Sequence, residues 1–236
     1  MQLPYFFTAD LSVPSSSLLL DEEQSRHAVQ VLRMRKGDAL ILTDGKGHRC
    51  RARIESDHKK ACSVIVEESE VVAPSARKVR IAISLLKNPG RFEWFLEKAT
   101  EIGIEEVIPL LCDRTTREHF RYKRMQQVVI NALLQSQQAW MPLLHTPISF
   151  DLLAGLLMPE ETKLIAHCME GEKNSVHSYM SKRASSTLIL IGPEGDFTSE
   201  ELRLAIEWGC RPVSLGESRL RAETAGIAAA ALLKIL

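Results

Sequence analysis

The spacing of apolar and polar positions changes near residue 76. Before it, short apolar stretches alternate with turn residues. Ala39–Leu42 and Cys62–Val66 read as strands, and Asp44-Gly45-Lys46-Gly47 is a hairpin turn signal leading into a run that carries Arg49, Arg51 and Arg53. A period of two places those three arginines on one side of their strand. Between Asp21 and Leu32, the apolar positions Ala28, Val31 and Leu32 fall at helical spacing and predict one short helix. Short strands joined by tight turns predict a small β-barrel over residues 1–72. Val71-Val72-Ala73-Pro74-Ser75-Ala76 then reads as a linker.

From there on, strands alternate with helix-length segments. Val79–Leu86 is a strand and Asn88-Pro89-Gly90 a turn. A helix comes next, with Phe92, Phe95, Leu96, Ala99 and Ile102 on one face and Gly103 as its stop. Val107–Leu111, Leu164–Ala166, Leu188–Ile191 and Val213–Leu215 supply four more strands. That order implies right-handed parallel crossovers and a sheet covered on both faces, so residues 76–236 read as an α/β domain.

Two of these strands end in glycine turns. Leu188–Ile191 runs into Gly192-Pro193-Glu194-Gly195, and Thr198-Ser199-Glu200-Glu201 behind it has the spacing of a capping box. Val213–Leu215 runs into Gly216, with Arg221, Glu223 and Thr224 close behind. Open α/β sheets bind ligands at the carboxyl ends of their strands. Read as neighbours, these two offer bare backbone polar groups and apolar walls, which suit a flat, largely neutral heterocycle such as adenine. The competing reading is that both glycines only end strands. Gly192 to Gly195 lack the G-x-G-x-x-G spacing of a dinucleotide fold, which argues against a dehydrogenase.

Composition narrows the classes. The 236 residues are 45% hydrophobic with a formal net charge of zero, so a nucleic-acid surface has to be local. One candidate is Arg49, Arg51 and Arg53 with Arg33 and Arg35 nearby. A second is the stretch from Arg114 through Arg117 and Arg121 to Arg124, interleaved with Phe120 and Tyr122. For each, the alternative is a solvated face without a partner. The five cysteines are scattered with no C-x-x-C pair, which argues for reduced thiols, and the histidines show no metal-ligand spacing. No metal is expected. The amino terminus has no basic region followed by an apolar run, and no apolar stretch nears 18 residues, so a cytoplasmic protein without membrane contact is expected.

Ile191-Gly192-Pro193-Glu194-Gly195, followed by Leu215-Gly216 and Leu220-Arg221-Ala222-Glu223-Thr224-Ala225, resembles the carboxyl-terminal signature of SPOUT-class RNA methyltransferases. Within that class it is similar to the family that methylates uridine N3 in 16S ribosomal RNA. Ser218, Arg219 and Ala222 depart from that family's second motif, and Asp196 stands where the family usually has glycine. Glu97 to Ile104 also resembles the family, and His27 to Asp38 resembles its PUA-like RNA-binding domain. The resemblance implies a knotted, Rossmann-like parallel sheet behind a PUA-like barrel, a homodimer, and the small ribosomal subunit or its 16S RNA as partner.

The resemblance also assigns roles. S-adenosylmethionine is placed against His167, Leu190, Gly192, Gly195, Leu215, Gly216 and Leu220, with Glu194 and Thr224 of the two motifs counted beside them. Arg221 becomes the cation that stabilises deprotonated uracil, and Glu223 either accepts the proton or holds Arg221 in place, the second being favoured because an ion-paired carboxylate is a weak base. Gln135 and Ser136 fall where the family has a segment near the active site. RNA contacts fall to Arg33, Arg35, Arg49, Arg51, Arg53, Arg114, Arg117 and Arg121. Two alternatives stay open: a SPOUT enzyme acting on a ribose 2′-hydroxyl or another base, and a non-enzymatic RNA-binding factor for ribosome assembly.

Overall fold

A computed structural model describes residues 3–9, 11, 17–116, 119–180 and 186–235; Arg117 lies outside the described residues. The chain forms two compact units, Met1–Pro74 with Leu133–Met141, and Ser75–Ala132 with Pro142–Leu236.

The first unit is a curled five-stranded sheet. It contains β1 (Tyr5–Phe7), β2 (Ser17–Leu19), α1 (Glu22–Arg26), β3 (Ala39–Thr43), β4 (His48–Ser56) and β5 (Ser63–Val71), in the order β1-β3-β4-β5-β2. Only the β1–β3 pair is parallel. Among the described residues β1 and β2 do not pair, so the expected barrel is a half-barrel with these strands as its edges. Phe6, Leu40, Leu42, Ala52, Ile54 and Val64 form its core.

The helix expected through Leu32 changes character. After α1 the chain widens into a π-helical turn, His27–Val31, with the Leu32 N–H donating to the His27 carbonyl at 2.9 Å. The extra residue in the turn rotates the positions after it. Ala28 stays fully buried, while Val31 and Leu32, expected on the same face, are exposed.

Sequence separation hides one strap of this unit. The Gly47 N–H donates to the Ala139 carbonyl at 2.8 Å, and the Met141 N–H donates to the Gly45 carbonyl at 2.8 Å. Trp140 Nε1 donates to the Val72 carbonyl at 2.9 Å. Its ring lies over Gly47, where a Cβ would come within 2.4 Å of it.

The second unit is built on a parallel sheet. Its elements are β6 (Lys78–Ser84), α2 (Pro89–Ile102), β7 (Glu106–Leu111), α3 (Tyr122–Gln135, whose last residues group with the first unit) and two short strands, β8 (Leu143–Leu144) and β9 (Ile148–Ser149). Then come β10 (Thr162–Ala166), β11 (Asn174–Ser175), α4 (His177–Met180), β12 (Ser186–Ile191), α5 (Ser199–Glu207), β13 (Arg211–Ser214) and α6 (Ala222–Lys234). The strand order is β11-β13-β10-β12-β6-β7-β8, with β9 also on β7. The central strands are apolar on both faces, as a doubly covered sheet requires: all six residues of β12 are buried.

Helix ends obey local chemistry. Asn88 Oδ1 accepts the Gly90 N–H at 2.9 Å to start α2. Thr198 and Glu201 form the reciprocal capping box of α5. Among the described residues no helix is long and apolar enough to cross a membrane.

Helix α6 lies against α2 and β6 at Gly226, where a Cβ would sit 2.7 Å from Phe95 Cε2, 2.8 Å from Phe95 Cδ2 and 3.2 Å from Ile83 Cδ1. Both neighbours are fully buried and cannot yield cheaply. Gly226→Ala is expected to destabilise the protein by about 1–3 kcal/mol through overpacking, although alanine has the better helix propensity. Thermal unfolding checks this, and a raised Tm would contradict the packing argument.

Candidate functional site

The two glycine-ended strands are not neighbours. Strand β10 pairs with both β12 and β13 and lies between them, because the crossover from β12 to β13 carries the chain past it. Their carboxyl ends nevertheless meet in a single cavity of about 720 Å³, and the end of β10 forms its third side. That volume is in the range of small-molecule sites.

The side at β12 consists of Ile191, Gly192, Pro193, Glu194 and Asp196. Gly192 is required by close approach: a Cβ there would be 3.1 Å from the Phe197 ring and 3.2 Å from its backbone nitrogen. Asp196 adopts φ +64°, the left-handed conformation that favours glycine and that Asp tolerates better than most residues. The Asp196 carboxylate adds what glycine cannot: Oδ2 accepts the Cys168 N–H at 2.8 Å, and Oδ1 accepts the Phe197 N–H at 2.9 Å, so the loops after β12 and β10 are tied together.

The β10 side comprises Ala166, His167 and Cys168, with Lys173 beyond. Both ring nitrogens of His167 are buried and lack a hydrogen-bond partner among the described residues. Burial, reinforced by the Lys173 charge and opposed by Asp196, pushes the imidazole pKa down, so the ring is neutral at neutral pH. It forms a polar, uncharged part of the cavity wall. The β13 side runs from Val213 through Leu215, Gly216 and Leu220 to Arg221 and Ala225. Gly216 has φ +147°, which a side chain would strain, and Ser214 Oγ donates to its carbonyl at 2.8 Å.

Of the expected cofactor contacts, His167, Gly192, Glu194, Leu215, Gly216 and Leu220 line the cavity. Leu190 does not: it is fully buried in the core beneath, because alternate residues of β12 face opposite sides. Gly195 packs under Arg114, whose Nη1 donates to the Gly195 carbonyl at 2.7 Å. Thr224 is not among the lining residues, and the helical turn presents Ala225 instead. Sequence reasoning missed Cys168 and Lys173, which no motif marks, and treated Asp196 only as a departure.

Arg221 and Arg219 both line the cavity, and among the described residues their side chains make no ion pair or hydrogen bond. Glu223 does not hold Arg221. In the first turn of α6 it faces α2, where Oε1 lies 3.5 Å from Arg91 Nε, and its Oε2 is buried without a partner among the described residues.

The expected RNA surface divides. Arg49, Arg51 and Arg53 do share one face of β4, and two glutamates of β5 pair with them. Arg53 Nε lies 2.6 Å from Glu67 Oε1, Arg51 Nε 3.8 Å from Glu67 Oε2, and Arg49 Nε 3.1 Å from Glu70 Oε1. Arg35 is 3.6 Å from Asp57, whereas the exposed Arg33 has no ion pair among the described residues and takes φ +57°. Arg114 serves as a latch on the β12 loop, and Arg121 contacts His119. Phe120, expected as a stacking platform, instead packs edge-on against Phe92 with centroids 5.9 Å apart. Gln135 and Ser136 lie within the strap of the first unit, and neither lines the cavity. Among the described residues no group of three or more His, Cys, Asp or Glu could hold a metal.

Comparison with known proteins places this geometry. The family model for the RNA methyltransferase domain matches residues 73–234, and that for the RNA methyltransferase PUA domain matches residues 20–67. The chain is 32% identical over 228 residues to the ribosomal RNA small subunit methyltransferase E of Synechocystis sp., covering 94% of this chain and 74% of that protein. Among solved structures, a probable rRNA methyltransferase from Porphyromonas gingivalis superposes with a TM-score of 0.90 at 36% identity, covering 99% of both chains. A ribosomal RNA small subunit methyltransferase E from Neisseria gonorrhoeae, bound to S-adenosyl methionine, gives 0.89 at 26% identity over 99% of this chain and 98% of that one. A three-sided cavity at the carboxyl ends of parallel strands, a PUA-type half-barrel and relatives matched along most of their length agree: the chain belongs to the RNA methyltransferase family that includes ribosomal RNA small subunit methyltransferase E.

Proposed function

We propose that this protein transfers a methyl group from S-adenosylmethionine to N3 of a uridine in 16S ribosomal RNA. The observation that carries the reading is the cavity between the ends of β10, β12 and β13. It has apolar walls at Ile191, Val213, Leu215 and Leu220, two unpartnered nitrogens on neutral His167, and the carboxylates of Glu194 and Asp196. Those features fit an adenosine carrying a sulfonium: the walls take the flat ring, the imidazole hydrogen-bonds without charge repulsion, and the acids favour the positive end.

Bound there, S-adenosylmethionine supplies the methyl group. The protein's part is orientation and electrostatics. Uracil N3 must lose its proton, to solvent, before it takes the methyl group, and the resulting charge spreads onto the two flanking carbonyl oxygens; S-adenosylhomocysteine is the product that leaves. Arg221, on the cavity wall with an uncommitted guanidinium, is the group that stabilises that charge. The resemblance to SPOUT enzymes brings a trefoil knot, a homodimer and a cytoplasmic location into the same reading.

Calorimetry with S-adenosylmethionine tests the cofactor assignment. Saturable binding at about one molecule per chain, within the micromolar range usual for enzyme ligands, is expected for the protein and is to be lost in Gly216→Val, which puts a branched side chain at φ +147°. No binding heat would leave only the RNA-binding assembly factor.

A further inference from the structure

We propose that Arg91 is a second RNA-contacting cation of the substrate site, clamping a backbone phosphate next to the target uridine, with Glu223 as the residue that positions it. The inference rests on the proposed RNA methylation and concerns a part of the site outside the cofactor cavity.

Arg91 stands in the first turn of α2, and its side chain is 37% exposed, while that of its partner Glu223 is 7% exposed. The 3.5 Å contact runs through Nε. Among the described residues, Nη1 and Nη2 make no hydrogen bond. A guanidinium has five N–H donors in a planar fork. Pairing through the Nε side leaves the outer edge of that fork open, and this edge matches two oxygens of a phosphate.

Glu223 points the same way from the inside. A buried carboxylate is costly unless both oxygens are satisfied, and Oε2 has no partner. Full side-on pairing by Arg91, through Nε and one Nη, would satisfy it and fix the guanidinium plane. The loose contact is therefore an open state of a clamp that tightens when something engages the outer edge. Catalytic-site hydrogen bonds are often long before the substrate binds.

The position favours phosphate over base. Glu223 is flanked by Ala222, which lines the cavity, yet neither Glu223 nor Arg91 lines it. Four residues before Arg91, the Lys87 N–H donates to Glu194 Oε1 at 3.1 Å, and Glu194 is on the cavity wall. Arg91, which follows the exposed Lys87 and pairs with the neighbour of cavity-lining Ala222, thus belongs to the rim, where the strand of an inserted nucleotide would run. Arg124, by contrast, is consumed by Glu93 at 2.9 Å.

Salt dependence separates a phosphate contact from a structural ion pair. Binding of in-vitro-transcribed 16S RNA is measured by filter retention over a range of potassium chloride, together with kcat and KM for the RNA. Arg91→Ala is expected to weaken binding about tenfold and to make the slope of log affinity against log salt shallower by about one. Arg91→Lys should restore the slope and only part of the affinity, since an ammonium keeps the charge but not the fork. Glu223→Gln should raise KM for the RNA with the slope kept. Far-ultraviolet circular dichroism and Tm report folding, and Arg91→Gln replaces alanine should that variant not fold.

An unchanged slope in folded Arg91→Ala or Arg91→Gln overturns the proposal, as does a fall in kcat that tracks Tm with KM unmoved. The two readings fail separately. A shifted slope without methyl transfer by the wild-type protein would sink the uridine reaction and leave the clamp. Methyl transfer with an unmoved slope would do the reverse.

Discussion

Arg221→Ala is expected to lower kcat for methyl transfer about a hundred- to a thousand-fold, the loss seen when one preorganised donor to a developing oxyanion is removed. The expectation comes from position and freedom together. Arg221 is the N-cap residue of α6, in extended conformation, and its side chain gives no hydrogen bond to the helix it precedes. It lines the cavity without an ion pair among the described residues, so nothing in the resting protein competes for its charge. A guanidinium so placed acts on charge that exists only once uracil N3 is deprotonated, and removing it should act on kcat more than on cofactor affinity. Steady-state kinetics with ribosomal RNA, beside calorimetry with S-adenosylmethionine, checks both halves. Near-full turnover in the variant would move the role elsewhere, with Arg219 next in position.

The largest stability effect is expected at the opposite, amino-terminal edge of the same parallel sheet, on β6, β7 and the residue before β10. Arg80 on β6 has a side chain only 4% exposed. Its Nε meets Glu106 Oε2 at 2.6 Å, Nη2 meets Glu106 Oε1 at 2.9 Å, and Nη1 meets the fully buried Glu161 at 2.8 Å. His145 Nε2 sits 2.7 Å from Glu106. Arg80→Met fills a similar volume but leaves two buried carboxylates without their cation, which should cost about 3–5 kcal/mol near neutral pH.

The pH dependence comes from Glu106. Burial raises its pKa, but Arg80 and then His145 outweigh that, and the net shift is downward. A carboxyl depressed in the folded state contributes stability that is present above its unfolded pKa and lost as pH falls through the folded one. The gap between wild type and Arg80→Met should therefore shrink below the ordinary glutamate range. Urea unfolding at neutral and acid pH measures it, and equal stability at neutral pH would contradict the network's role.

Local signals were legible in the sequence and long-range pairings were not. The capping box at Thr198 and Glu201, the stop at Gly103 and the apolar runs of β6, β7, β10 and β12 depend on neighbours within a few residues. Each appears in the structure close to its expected place. The glycine turns after Ile191 and Leu215 lie on one cavity at the carboxyl ends of parallel strands, a place that parallel topology sets and that local signals point to.

What failed was what depends on distant chain. Period two shows that Arg49, Arg51 and Arg53 share a face, but not that Glu67 and Glu70 on the next strand ion-pair with them. Nothing near Glu223 names Arg91, 132 positions earlier (223 − 91), as its partner in place of Arg221. The insertion of β10 between β12 and β13 is likewise a property of the crossover and not of any motif. The wide turn at His27–Val31 was missed for a subtler reason: helical spacing does not distinguish four-residue from five-residue bonding, and one extra residue was enough to turn Val31 and Leu32 outward.

The most direct measurement is nucleoside mass spectrometry of 16S ribosomal RNA. The RNA is taken from cells lacking this protein and incubated with the purified chain and isotopically methyl-labelled S-adenosylmethionine. A single labelled 3-methyluridine, absent when the Arg221→Ala variant replaces the wild type, is the predicted result. Label on a ribose oxygen or another base, or none at all from protein that binds the cofactor, would contradict it.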